Sequence, residues 1–245
     1  MSMTWSGNRM NDRIAKEKLN VILVVDTSKS MAGERISQVN QAIRDIKDYL
    51  VNLQVENSNV DFYLSIIQFS TESSFIDDNR EVNVDKFKFD NLKCCGWSNL
   101  HCGYQKLEEI LKKQSHGGVM PDFGGTSPII LLLTDGHPTT TEYKDELVNL
   151  NNSPWFKAAI RYGIAIELHD KRTIGVLKDF VGDNGDVIDC YSSNMLKNII
   201  KIIVLTASKV KSSSATVGNG QVINQNQIVR QEINEALADV NQWGW

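Results

Sequence analysis

Apolar positions along the chain fall into two rhythms. Leu19 to Val25 is a short apolar run, interrupted only by Asn20 and rich in β-branched residues, and it ends abruptly at Asp26. A run of that length and composition predicts a parallel strand buried on both faces. Ile36, Val39, Ile43, Ile46, Leu50 and Leu53 then recur at three- and four-residue steps, one face of an amphipathic helix. Val60 to Phe69 reads as a second strand, so the first seventy residues predict a right-handed βαβ unit. Thr71 to Asp90 mixes short β-prone pieces with Asp and Asn, the pattern of an edge hairpin. An irregular loop over Asn91 to Gly103 leads into a helix marked by Leu100, Tyr104, Leu107 and Leu111. Pro128 to Thr134 is another buried strand, followed at once by Asp135-Gly136.

Further on, Trp155 to Tyr162 predicts a short helix and Gly163 to Leu168 a strand. Thr173 to Phe180 predicts a helix, Asp186 to Cys190 a last short strand, and Leu196, Ile199, Ile203 and Thr206 a helix face. This alternation defines an α/β class: a doubly wound, mostly parallel central sheet with helices on both faces and one antiparallel edge strand. From Ser208 the composition turns to Ser, Asn, Gln and Gly, a linker signature. The expected organisation is a polar leader over 1–18, one domain over 19–211, a linker over 212–227 and a C-terminal segment over 228–245. In that segment Val229, Ile233, Leu237 and Val240 form a short amphipathic face ahead of Trp243 and Trp245. Two roles are open to it. It folds back on its own domain, or it is a docking peptide whose Val229, Ile233, Leu237, Trp243 and Trp245 anchor a partner, and the aromatic anchors favour docking.

Composition narrows the field. With 41% apolar and 23% charged residues and a formal net charge of −4, the 245-residue chain is that of a soluble globular protein, without the basic stripe that nucleic acid requires. No apolar stretch reaches the length of a membrane span, and the first eighteen residues lack a signal peptide's apolar core. Four cysteines, Cys94, Cys95, Cys102 and Cys190, make no disulfide framework in a chain this long, so a reducing cytoplasm is expected.

The chemistry sits at strand ends. Asp26, Ser28 and Ser30 lie on the loop leaving the first strand, and Asp135 ends another. In a parallel sheet those ends share one edge, the edge where ligands bind in open α/β folds. Two carboxylates brought close repel one another unless a cation or proton lies between them. All-oxygen ligation favours Mg²⁺, Mn²⁺ or Ca²⁺ over zinc or copper. The plainer role for Ser28 or Ser30 is to cap the following helix.

Asp26-Thr27-Ser28-Lys29-Ser30 matches the Asp-x-Ser-x-Ser signature of von Willebrand factor A domains, and Leu131-Leu132-Leu133-Thr134-Asp135-Gly136 resembles their second aspartate motif. The resemblance runs from about Leu19 to Lys211. It implies a metal-ion-dependent adhesion site in which Asp26, Ser28, Ser30, Ser98 and Asp135 hold Mg²⁺ and a partner's acidic side chain completes the coordination. Ser98 stands where the family has a threonine. Gly124-Gly125-Thr126-Ser127 looks more like that motif locally but precedes its strand, which puts Thr126 at the opposite edge of the sheet. Within the family the chain looks most like bacterial tellurite-resistance Y-type proteins, through Gly33-Glu34 to Asn40 and Ala207 to Ser212. That narrower likeness implies work beside a protein kinase and a PP2C-like phosphatase in bacterial stress or defence signalling.

Rival sites are weaker. Cys94, Cys95, His101 and Cys102 cluster in one loop, but adjacent cysteines chelate one tetrahedral ion only with strain, and reduced thiols are expected instead. Glu167, His169 and Asp170, and likewise His137, border the same edge, where the plainer role is that of solvated loop residues and the alternative is to tune the metal site or touch a partner. No nucleophile elbow and no glycine-rich phosphate loop is present, so an interaction module is expected and not an enzyme. Two alternatives remain. A metal-dependent phosphohydrolase would reuse Asp26, although it lacks a carboxylate at Ser28 and a positioned Lys or Arg. A scaffold would act mainly through its C-terminal tail.

Overall fold

Strand β1 (Glu17–Asp26) lies at the centre of the sheet, and its last eight residues are all buried. The computed structural model describes residues 16–57, 59–76, 80–136, 138–167, 171–182, 185–213, 228, 231–236 and 238. β1 pairs in parallel with β2 (Val60–Phe69) on one side and with β5 (Ile129–Thr134) on the other. β6 (Ile160–Ile166) and β7 (Gly185–Cys190) extend the parallel array beyond β5. On the outer side of β2 lie two short antiparallel strands, β3 (Ser73–Phe75) and β4 (Val82–Asn83), so the sheet reads β3-β2-β1-β5-β6-β7 with β4 also on β2. The antiparallel edge expected from the sequence is present. β3 folds back on β2 through the turn at residues 70–72, whereas β4 pairs with a different part of β2, so the two short strands do not pair with each other.

The unbroken apolar run Val21–Val25 of β1 is explained by the two layers it separates. Leu19, Val21, Leu23 and Val25 face a core shared with α1 (Glu34–Glu56) and α6 (Ser193–Ser213). Ile22 and Val24 face the opposite core, shared with α2 (Leu100–Ile110), α3 (Tyr143–Asn152), α4 (Pro154–Ala158) and α5 (Lys171–Val181). Each fully buried aliphatic side chain contributes roughly 1.5–3 kcal/mol, so a strand covered on both faces is the natural spine of the domain. The chain winds outward from β1 through β2 and then returns to place β5 on the other flank. The winding therefore reverses between β1 and β5, the switch point at which such sheets open a crevice beyond their C-terminal strand ends.

Three expectations need correction. α3 lies in a stretch the apolar rhythm left unassigned. β6 begins at Ile160, so Arg161 and Tyr162 are strand and not helix. Ile233, expected on a partner-binding face, is fully buried and packs into the core shared with α1 and α6. Residues 231–236 are helical, and the Asn234 amide donates to Asp186 at 2.6 Å, so this part of the tail folds back on its own domain. Val229, Leu237, Trp243 and Trp245 lie outside the described residues, as does most of the expected linker, although α6 continues to Ser213. Among the described residues no helix is long and apolar enough to cross a membrane.

Candidate metal centre

Three chain segments converge on Asp26. It is the last residue of β1, its side chain is fully buried, and its Oδ1 accepts from the Ser28 backbone N–H at 2.8 Å. Its Oδ2 accepts from Ser98 Oγ at 2.9 Å and from Thr134 Oγ1 at 2.7 Å. Burial pushes the Asp26 carboxyl above its ordinary value, and the hydrogen bonds from Ser28, Thr134 and Ser98 oppose that shift.

A second chain of hydroxyls runs to the other carboxylate. Ser30 Oγ donates to Asp135 Oδ1 at 2.8 Å and lies 3.0 Å from Ser28 Oγ. Because the Ser30 proton points at Asp135, Ser28 is the donor to Ser30. The structure thus gathers Asp26, Ser28, Ser30, Ser98 and Asp135 at one sheet edge. Thr126 precedes β5 and so lies toward the other edge.

Backbone contacts fix the loops that carry these groups. Cys95 N–H donates to the Thr27 carbonyl at 2.8 Å and Lys29 N–H to the Gly96 carbonyl at 3.3 Å, tying the β1 loop to the Ser98 loop. Thr139 N–H donates to the Ser98 carbonyl at 2.8 Å, and Ser98 N–H donates back to Thr139 Oγ1 at 3.1 Å. Gly96 adopts φ +69°, and a Cβ there would sit 2.2 Å from Thr71 Oγ1, so only glycine passes this turn.

Sequence reasoning did not assign Thr134, Thr139, Arg35 or Gln38. Thr134 was within reach, as a hydroxyl at the end of a buried strand directly before Asp135. Arg35 Nη1 donates to Asp135 Oδ2 at 2.5 Å and Nε to Glu167 Oε2 at 3.3 Å, while Gln38 Nε2 donates to Glu167 Oε1 at 2.7 Å. Glu167 therefore borders the site as a held carboxylate and not as a solvated loop residue. His137, His169 and Asp170 lie outside the described residues.

The donor set suits a hard divalent cation. It consists of two buried carboxylates and three hydroxyls, all oxygen. Asp26 has only neutral donors among the described residues, and a buried carboxylate without a cation is electrostatically incomplete. The cysteine loop offers no rival: among the described residues no three His, Cys, Asp or Glu side chains cluster to hold a metal. All four cysteines are free thiols, and burial pushes Cys94 and Cys190 up to about 11.

A β1/β5 switch point whose C-terminal edge carries an Asp-x-Ser-x-Ser loop and a second aspartate just beyond a strand end defines a class of α/β ligand-binding domains. The chain belongs to the von Willebrand factor type A domain family, whose model matches residues 20–184. It is 31% identical over 132 residues to inter-alpha-trypsin inhibitor heavy chain H1 of Sus scrofa, covering 51% of this chain and 14% of that protein. Only a small part of that curated relative's length is therefore represented. Among solved structures, the pilus adhesin SpaC of Lactobacillus rhamnosus GG superposes with a TM-score of 0.57 at 13% identity, over 79% of this chain and 30% of that one. Proximal thread matrix protein 1 of the mussel byssus, solved with a zinc-occupied MIDAS motif, superposes with a TM-score of 0.53 at 17% identity, over 79% and 48%. At such identities these two establish the shared fold.

Proposed function

We propose that the chain is a metal-dependent protein-interaction module, and not an enzyme. In this reading Asp26, Ser28, Ser30, Ser98 and Asp135 hold a divalent ion, Mg²⁺ in the cell with Mn²⁺ or Ca²⁺ as substitutes. Bound there, the ion supplies positive charge for an acidic side chain of a protein partner. The observation that carries this reading is the fully buried Asp26 carboxylate, ringed by hydroxyls and an amide from three segments and lacking a cation among the described residues. Family membership supports it, as does the MIDAS motif named for the byssus protein. The likeness to tellurite-resistance Y-type proteins extends the proposal to a cytoplasmic role beside a kinase and a PP2C-like phosphatase in bacterial stress or defence signalling.

Pull-downs from the native host in magnesium, in chelator and with Asp26→Ala test the reading. Partners should be retained in magnesium and lost in the other two conditions. Capture that persists in both chelator and the variant would rule the metal mechanism out.

One observation favours a second reading. Absence of a positioned cationic side chain counted against a phosphohydrolase, yet Arg35 stands at Asp135. Its guanidinium is already committed to Asp135, Glu167 and the Ser30 carbonyl, which argues for a structural task. Magnesium-dependent turnover of a phosphoester panel, lost in Asp26→Ala, would support the enzymatic reading.

A further inference from the structure

Arg35, in the first turn of α1, joins carboxylates from two different strand ends. Its Nη1 contacts Asp135 Oδ2 at 2.5 Å and the Ser30 carbonyl at 3.0 Å, and its Nε reaches Glu167 Oε2 at 3.3 Å. The Asp135 side chain is completely buried, and its other oxygen is taken by Ser30 Oγ. Glu167 is itself held from two sides, by Gln38 at one carboxylate oxygen and by its backbone N–H on the Cys190 carbonyl at 2.8 Å. It is also the one non-glycine residue with positive φ (+50°) among the described residues. A left-handed glutamate is a strained conformation that persists where the surroundings over-determine it. Here the strain aims a carboxylate at Arg35.

We infer that Arg35 is a built-in counter-ion that takes a divalent ion's place at Asp135, with Glu167 and Gln38 positioning it, and that it thereby sets the metal affinity of the site. The inference rests on the metal-site reading above. The two ligand carboxylates are treated unequally: Asp26 meets neutral donors, whereas Asp135 already has a charged, forked partner. An ion that draws on Asp135 must compete with a charge-assisted hydrogen bond, and its own positive charge is repelled by the guanidinium. The protein accepts weaker metal binding, and in exchange its buried Asp135 is satisfied when no ion is bound. A bound ion whose charge is incompletely matched by Asp135 keeps more attraction for an incoming acid.

The test measures Mn²⁺ affinity of the full chain by calorimetry, together with melting temperature in chelator. Arg35→Gln should bind Mn²⁺ roughly tenfold tighter than wild type, because a unit positive charge has left the site, and should melt lower in chelator. Lys29→Gln removes an exposed charge between Ser28 and Ser30 without touching Asp135, and should change Mn²⁺ affinity by less than roughly threefold, as a solvent-screened charge does. Should Arg35→Gln fail to fold, Arg35→Lys serves, because one ammonium lacks the fork that spans Asp135 and Glu167; it should bind Mn²⁺ measurably tighter than wild type.

Unchanged or weaker binding by the Arg35 variants overturns the inference, as does equal tightening by Lys29→Gln. If wild type binds Mn²⁺ in an Asp26-dependent way and the Arg35 variants match it, only the counter-ion role fails. If neither wild type nor any variant binds, the metal reading falls with it.

Discussion

Replacing Asp26 by asparagine should separate the metal site from the fold. The carboxylate is fully buried and accepts from Ser28 N–H, Ser98 Oγ and Thr134 Oγ1 at 2.8, 2.9 and 2.7 Å. Asparagine keeps the volume and one acceptor oxygen, which suits the Ser28 N–H. Its amide donors require the two hydroxyls to rotate and accept, and Thr134 has the Gly136 carbonyl at 3.1 Å as an alternative acceptor. Losing charge assistance in three hydrogen bonds costs on the order of 1 kcal/mol each. Against this stands desolvation, the largest influence on Asp26, and a buried charge without a cation costs several kcal/mol. Desolvation wins. The metal-free variant should be about 1 kcal/mol more stable than wild type, roughly 2–4 °C in melting temperature for a domain of this size.

Magnesium reverses the order. At a hundredfold excess over its dissociation constant, a bound ion stabilises wild type by about 2.7 kcal/mol, roughly 5–10 °C. Asp26→Asn should gain nothing, since a neutral amide supplies no charge to match the ion. Thermal melting of both proteins in chelator and in magnesium reads all four values. Acidity supplies an independent check. Burial holds the Asp26 carboxyl above its ordinary 3.8, and such a group stabilises the fold fully below its unfolded value and loses that contribution as pH rises through the folded value. In chelator, wild type should therefore gain on Asp26→Asn as pH falls from 7 toward about 4. An equal magnesium shift in the two proteins, or a metal-free variant several kcal/mol below wild type, would falsify this account of Asp26.

Ser98→Ala removes the hydroxyl on Asp26 Oδ2 and should weaken Mn²⁺ binding about tenfold, while Ser98→Thr, whose methyl restrains the rotamer, should bind at least as well as wild type. Brief alkylation at pH 7.5 followed by peptide mapping should label exposed Cys95 first, since Cys94 and Cys190 are pushed up to about 11 by burial and stay protonated; Cys190 modified as fast as Cys95 would contradict this. Gly163→Ala puts a Cβ 2.9 Å from Leu177 Cβ between β6 and α5, so it should cost roughly 1–3 kcal/mol in denaturant melts with the magnesium shift unchanged.

What the sequence made legible follows from how local each signal is. β1 and β5 announce themselves as short apolar runs because both faces are covered, and Asp26 at the end of β1 and Asp135 just beyond β5 inherit a shared edge from parallel pairing. Ser98 was readable as a hydroxyl two residues beyond a glycine that must turn. α3 was not, because Tyr143, Leu147 and Leu150 are its only buried positions within a polar stretch. Arg161 disguised the start of β6; its guanidinium lies 4.1 Å from the centre of the Phe156 ring, a contact that offsets part of the cost of placing a charged residue in a buried strand. Ile233 had an apolar helix face with no local clue to what covers it, and the answer lies on the far side of the linker.

Arg35 marks the limit most clearly, since its partners Asp135 and Glu167 are 100 and 132 positions away. A ligand at the end of a strand can be found by reading that strand. The partner of a charge on the first turn of α1 depends on which strand ends the winding brings beneath it, and that is decided by the placement of β5 and β6 beside β1. The five candidate ligands were therefore visible one motif at a time. The unequal treatment of their two carboxylates, Asp26 left to neutral donors and Asp135 given a guanidinium, emerges only once the sheet is assembled. That inequality makes the chain's response to metal a property of the fold as well as of the motif, and it is why Arg35→Gln and Asp26→Asn should move metal-free stability in opposite directions.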